Sequence, residues 1–205
     1  MHKFEEILTR NESAETFASE YILHLSRLLS ALDITAIAQV IGVLDTARKQ
    51  GRMIFLCGNG GSAATASHLA EDLALGPKKR GQPSFRTISL TDSLSSITAI
   101  ANDEGYENVF VSQLETLFSP GDVVIGVSAS GNSPNVIRAL EYASSHGGFS
   151  IGFTGFDGGK MREICHHCIH IASGSGEYEP VEDAHLIIGH LLASYFKYQP
   201  SVKNR

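Results

Sequence analysis

The stretch Cys57-Gly58-Asn59-Gly60-Gly61-Ser62-Ala63-Ala64-Thr65-Ala66-Ser67-His68-Leu69-Ala70-Glu71-Asp72 follows an apolar run, Met53 to Cys57, and leads into Ala63 to Leu75, which lacks both Gly and Pro. The first run has the length and composition of a buried strand, the second those of a helix. Between them, Gly-Asn-Gly-Gly-Ser makes a turn that calls for positive φ, which residues with side chains resist. Strand, glycine turn and helix start together aim backbone N–H groups at an anion. His68 and Asp72 are four residues apart and share one face of that helix. The stretch therefore predicts a phosphate cradle one or two turns from an imidazole and a carboxylate.

Outward from this stretch the chain alternates. Strands are expected at 53–57, 85–90, 123–128, 149–154 and 167–171, and helices at 63–75, 93–101, 107–117, 133–146, 159–164 and 181–197. That order implies an α/β fold with a parallel sheet covered on both faces. Ligands in such sheets bind at the carboxyl ends of the strands. Residues 1–50 have a different texture. Phe4, Ile7 and Leu8, then Phe17, Tyr21, Ile22, Leu25, Leu28 and Leu29, recur at helical spacing, and Ile34, Ile37, Val40, Ile41 and Leu44 repeat the pattern after Asp33. Two or three helices are expected there, packed either against a partner subunit or on the chain's own core.

The 205 residues suffice for one α/β domain, and 42% hydrophobic against 19% charged residues fits a globular class. A formal net charge of −6 disfavours nucleic acid as a partner. A phosphorylated ligand must then be held by amides and hydroxyls more than by cations. No apolar run approaches the roughly 18 residues of a membrane span, and no signal-peptide pattern opens the chain. Three cysteines suit a reducing, cytoplasmic setting.

A second loop has the same character. Val127-Ser128-Ala129-Ser130-Gly131-Asn132-Ser133-Pro134-Asn135-Val136 ends a strand and opens a helix. Ser128, Ser130 and Ser133 place three hydroxyls at a helix N-terminus, with Asn132 or Ser133 as N-cap and Pro134 in the first turn. Hydroxyls plus the helix dipole can hold a phosphate without Lys or Arg.

Gly-Asn-Gly-Gly-Ser with a His-bearing helix, followed by Ser-x-Ser-Gly-Asn-Ser, resembles the sugar isomerase (SIS) domain, and more narrowly the phosphoheptose isomerases. The likeness extends over Asn102-Asp103-Glu104-Gly105-Tyr106, Thr154-Gly155 with Asp157-Gly158-Gly159-Lys160-Met161, and the last helix with His190. The resemblance implies a three-layer αβα sandwich with a five-stranded parallel sheet. It divides the chain into a helical oligomerisation arm, 1–50, and an SIS domain, 51–205. It also implies a homotetramer with active sites at subunit contacts. The substrate contacts it implies are Asn59, Gly60, Gly61, Ser62, Asp72, Asn102, Asp103, Ser128, Ala129, Ser130, Ser133 and Glu182. The metal ligands it implies are His68, Asp72, Glu182 and His190, with Zn²⁺ as the ion. Two imidazoles and two carboxylates suit Zn²⁺ and also admit Fe²⁺ or Mn²⁺. Two positions depart from the family, which usually carries Glu at Asp72 and Gln at Glu182. Glu182 and His190 are eight residues apart on one helix, so they converge only if their side chains lean inward.

The activity implied is an aldose–ketose isomerisation of sedoheptulose 7-phosphate, yielding glycero-manno-heptose 7-phosphate for a lipopolysaccharide, capsule or other glycoconjugate. Asp72 and His190 are the candidate proton movers, and either could act first. The rivals are an isomerase of another phosphosugar and a non-catalytic SIS module that senses a phosphosugar or binds the bacterial replication initiator DnaA. The DnaA-binding relative lacks the carboxylate four residues after the helix histidine, so Asp72 favours the enzyme. Cys165-His166-His167-Cys168 has no second CxxC to complete a four-cysteine zinc site, and is read as packing. Lys78-Lys79-Arg80 reads as a solvated basic loop.

Overall fold

The structure is a computed structural model that describes residues 13–78 and 83–199. Phe4, Ile7 and Leu8, and Lys79 and Arg80 of the basic run, lie outside the described residues. Helix α1 (Ala14–Ser30) begins at Ser13, whose hydroxyl accepts the Thr16 N–H. Helix α2 (Ile34–Lys49) begins at Asp33, whose carboxylate accepts from Thr35 and Ala36. Next come β1 (Met53–Gly58), α3 (Gly61–Leu75), β2 (Arg86–Ser89), α4 (Leu94–Asp103) and a 3₁₀ turn, Tyr106–Asn108. The chain continues through α5 (Val111–Leu117), β3 (Val123–Ser128), α6 (Pro134–Ser145), β4 (Phe149–Thr154), α7 (Gly159–Ile164), β5 (His167–His170) and α8 (Tyr178–Tyr198).

The five expected strands are all present. Three helices differ from expectation. The helix expected at 107–117 breaks into the 3₁₀ turn and α5, with Val109 and Phe110 buried at the break. Helix α8 starts ahead of Pro180, which the first turn tolerates because its N–H would have no helical partner. Helix α3 starts at Gly61, so two residues read as turn are helical.

All strand pairs are parallel, in the order β2-β1-β3-β4-β5. Strand order reverses between β1 and β3, and a crevice opens where the chain leaves their carboxyl ends in opposite directions. Asn59 follows β1 and Ser128 ends β3, so the glycine turn and the serine loop both border that crevice. Residues of β1 alternate between two cores. Ile54 and Leu56 face a core built with α2, α3 and α8, while Phe55 and Cys57 face one built with α5 and α6. The result is the three-layer αβα sandwich.

Helix α2 buries Ile37, Val40 and Leu44 in the first core. Helix α1 packs on α8 and leaves Ile22 and Leu23 exposed. Among the described residues no single helix is long and apolar enough to cross a membrane. Cys165 and Cys168 place their sulfurs 3.1 and 3.5 Å from where a Gly152 Cβ would stand. They fill the hollow that this glycine leaves. Burial pushes the Cys165 thiol up to about 12 and raises Cys168 as well, which disfavours the reactive thiolate.

Candidate metal and phosphate site

Helices α3 and α8 lie side by side and run in the same direction. Gly61 meets Glu182 near their starts, and His68 meets His190 two turns further on. At that second contact the Nε2 atoms of His68 and His190 are 2.9 Å apart. Asp72 Oδ2 lies 3.3 Å from the first and 3.7 Å from the second. A tetrahedral ion with bonds of about 2.1 Å separates its ligands by roughly 3.4 Å. The three edges bracket that spacing, so these residues fit a divalent cation. Three protein ligands with a fourth position open is the pattern of catalytic rather than structural zinc sites. The side chains are 46%, 29% and 52% exposed, so an ion held there would be accessible from outside. Ser67, one residue before His68, donates to Asp92 and lies within hydrogen-bond distance of Ser89 and Thr91. That network anchors this turn of α3 to the carboxyl end of β2.

The glycine turn and the serine loop meet at the crevice. Gly60 has φ of 55° and caps α3 without a side-chain hydrogen bond. Ser133 stands at the N-cap of α6, yet its hydroxyl does not cap the helix and pairs instead with Ser128 at 3.0 Å. By contrast, Ser13, Asp33 and Ser93 cap α1, α2 and α4 with their side chains. Two helix N-termini without side-chain caps thus point at one cavity of about 160 Å³, whose lining includes Asn59, Ser62, Ser128, Ala129, Ser130, Ser133, Tyr178 and Glu182. No cation lines it. Gly131, with φ of 64°, lets the loop pass so close to Gly158 that a Cβ would overlap its carbonyl. A larger, mostly apolar cavity of about 280 Å³ lies beside α2 at the opposite ends of the strands and holds none of these groups.

Glu182 stands apart from the His68, Asp72 and His190 group. Its carboxylate rests on Gly61 so closely that a Cβ there would overlap it. Burial, then the neighbouring charges of Glu179 and Asp183, raise its pKa. Asn102 and Asp103 occupy the last turn of α4, where the Asn102 amide donates to the Asp103 carboxylate at 2.7 Å. They are exposed and do not line the serine cavity. The residue that ties their segment to the crevice is Tyr106, whose hydroxyl donates to Asn59 Oδ1 at 2.9 Å. Asn59 and Asn135 exchange two amide hydrogen bonds, each 2.9 Å.

The sequence reading assigned no role to Asn135, Tyr106, Ser67 or Asp92.

The SIS domain family matches residues 19–155. The phosphoheptose isomerase of Aquifex aeolicus is 44% identical over 156 residues, covering 76% of this chain and 80% of the relative. That of Aliarcobacter butzleri is 46% identical over 146 residues, covering 70% and 75%. The solved structure of the phosphoheptose isomerase GmhA from Neisseria gonorrhoeae superposes with a TM-score of 0.80 at 26% identity, over 90% of this chain and 98% of that one. With this sheet order and these relatives, the chain belongs to the SIS-domain family, in its phosphoheptose isomerase branch.

Proposed function

We propose that the protein is a metal-assisted aldose–ketose isomerase that converts sedoheptulose 7-phosphate to glycero-manno-heptose 7-phosphate. The observation that carries this reading is the His68, Asp72 and His190 cluster on the same helix pair that borders the serine-lined cavity. In this reading Ser128, Ser130 and Ser133 accept the phosphate with the N-terminus of α6, and the Gly60–Ser62 turn adds the N-terminus of α3. Asn102 and Asp103 are assigned to the sugar hydroxyls. Zn²⁺ held by His68, Asp72 and His190 would act as a Lewis acid toward the substrate oxygens. Glu182 joins the ligand set only by a change of rotamer away from Gly61.

The reaction removes a proton from C1 of the ketose, passes through an enediol and returns a proton to C2. Hydroxyl and carbonyl exchange places, so no redox partner is needed. Asp72 turns Oδ2 toward both imidazoles, which leaves its other oxygen to receive or return a proton. His190 is the second candidate proton carrier, a role that competes with holding the ion through Nε2.

The assembly we infer is a homotetramer in the cytoplasm, supplying heptose for a glycoconjugate. Ile187, Leu191, Tyr195 and Tyr198 form an exposed apolar stripe along α8, beside His190. Leu75, one turn beyond Asp72, is exposed as well. A second copy of the chain covering this surface would bury the stripe and enclose the cluster. Sedimentation should accordingly show no stable monomer, and Leu191→Glu should release smaller species.

The deciding experiment assays a panel of ketose phosphates before and after chelation and Zn²⁺ re-addition. Turnover of sedoheptulose 7-phosphate that is lost and restored supports the reading. Binding of sugar phosphates with no turnover of any would overturn it in favour of a phosphosugar sensor.

A further inference from the structure

Asn135 is a buried amide, only 1% exposed, and a buried amide is costly unless hydrogen-bonded. Its partners fix its orientation. The backbone N–H of Val136 can only donate, so the atom it meets at 3.0 Å must be Asn135 Oδ1. Asn135 Nδ2 then faces Asn59 and must meet an oxygen there, and Asn59 Nδ2 returns the bond to Asn135 Oδ1. Asn59 Oδ1, its orientation now settled, also accepts the Tyr106 hydroxyl. One backbone amide thereby orients a chain of three side chains. Asn59 Oδ1 has both acceptor positions filled, and its Nδ2 retains one free hydrogen.

Three segments meet at that amide. Asn59 opens the turn that carries Gly60, Gly61 and Ser62. Asn135 follows the serine loop that ends at Ser133, and Tyr106 follows Asn102 and Asp103. We propose that Asn135 and Tyr106 are positioning residues that act through the side-chain amide of Asn59, holding the three segments in register for a phosphorylated ligand. The inference rests on the phosphosugar reading of the site and adds to it which residues set the spacing of its parts. Asn59 contributes by joining segments more than by touching substrate through its side chain.

The geometry also supplies a clean variant. Arg138 on α6 donates to Asn108 Oδ1 at 2.6 Å, which is a second tie between α6 and the 3₁₀ turn. Tyr106→Phe therefore leaves the turn attached while cutting its link to Asn59, and Tyr106 is exposed enough for folding to be unaffected.

The test is a double-mutant cycle on Tyr106→Phe and Asn135→Ala. It reads KM and kcat for sedoheptulose 7-phosphate, calorimetric Kd for that sugar phosphate and for inorganic phosphate, and thermal unfolding. Tyr106→Phe should raise KM and Kd about fivefold with an unchanged melting temperature, and Asn135→Ala about tenfold. The double variant should bind no worse than Asn135→Ala alone, because a freed Asn59 amide no longer transmits the hold of Tyr106. Wild-type binding in both single variants overturns the proposal, and so do losses that multiply in the double variant. If Asn135→Ala does not fold, Tyr106→Phe decides alone by its Kd. A wild type that binds sugar phosphate without turnover removes the isomerase reading and leaves the Kd cycle to decide this one. A wild type that binds neither probe overturns both.

Discussion

The Nε2 atoms of His68 and His190 face each other at 2.9 Å, with Asp72 Oδ2 beside both. Two imidazole lone pairs cannot share that space unaided. Either one ring donates a proton to the other, or a cation takes the place of that proton and satisfies both rings and the carboxylate.

The cation alternative makes the first prediction. Elemental analysis should find about one divalent ion per chain, lost in His190→Gln and weakened in Asp72→Asn. Turnover should fall by about 10²–10⁴-fold in each, the range for loss of a proton-transfer group, while circular dichroism stays native. Asp72→Glu, one methylene longer, should retain the ion. Wild-type metal content and rate in both His190→Gln and Asp72→Asn would remove the site.

The serine cavity makes the second. Ser130→Ala should weaken phosphosugar binding by about 1–2 kcal/mol, one hydrogen bond to a charged group. Ser133→Ala should do the same and also strip Ser128 of its hydroxyl partner at 3.0 Å. Calorimetry that finds both variants unchanged would place the phosphate elsewhere.

Glu182 sets a charge against the ligand. Its carboxylate lines the cavity proposed to receive an anion, and burial raises its pKa. Protonation thus begins at a higher pH than for an ordinary glutamate and relieves the repulsion as pH falls. Sulfate, which does not titrate in this range, should bind wild type more tightly as the solution is acidified. Glu182→Gln should bind it more tightly at neutral pH and show no such slope. Identical sulfate titrations for the two proteins would contradict this account.

His185 predicts acid sensitivity. It is fully buried, neither ring nitrogen meets a partner at hydrogen-bond geometry, and the nearby Thr154 carbonyl offsets only part of the burial, so its pKa falls to about 4. The folded state holds it neutral, whereas the unfolded chain takes up a proton near pH 6.5. Its contribution is therefore complete above that pH and is lost as pH falls toward 4. The loss amounts to about 3 kcal/mol. Urea titrations at pH 7.5 and 4.5 should show that loss in wild type and a smaller one in His185→Leu. Equal pH dependence in the two would assign acid sensitivity to other groups.

The glycine turn was legible because its physics is local. A residue with positive φ between a strand and a helix can be read from adjacent letters, and Gly60 meets that reading. The His68–Asp72 pair was legible for the same reason, since helical spacing fixes which side chains share a face. The Asn59–Asn135 pair joins residues 76 positions apart, and nothing in either neighbourhood encodes the other. Glu182 was ambiguous in a different way. Its spacing from His190 gives a distance along α8 but not which part of α3 it meets. The structure sets it beside Gly61, where the carboxylate gains the favourable end of the helix dipole.

The shared direction of α3 and α8 gives the site a fixed length. From Gly61 to His68 the helix advances about 10 Å, at 1.5 Å per residue. The ends proposed to hold the anion and the ion are separated by that rise, and neither helix can shorten it without breaking its own hydrogen bonds. The helix pair works as a ruler. On the proposed reading, a phosphorylated ketose with too few carbons would seat its phosphate among the serines and leave its carbonyl short of His190.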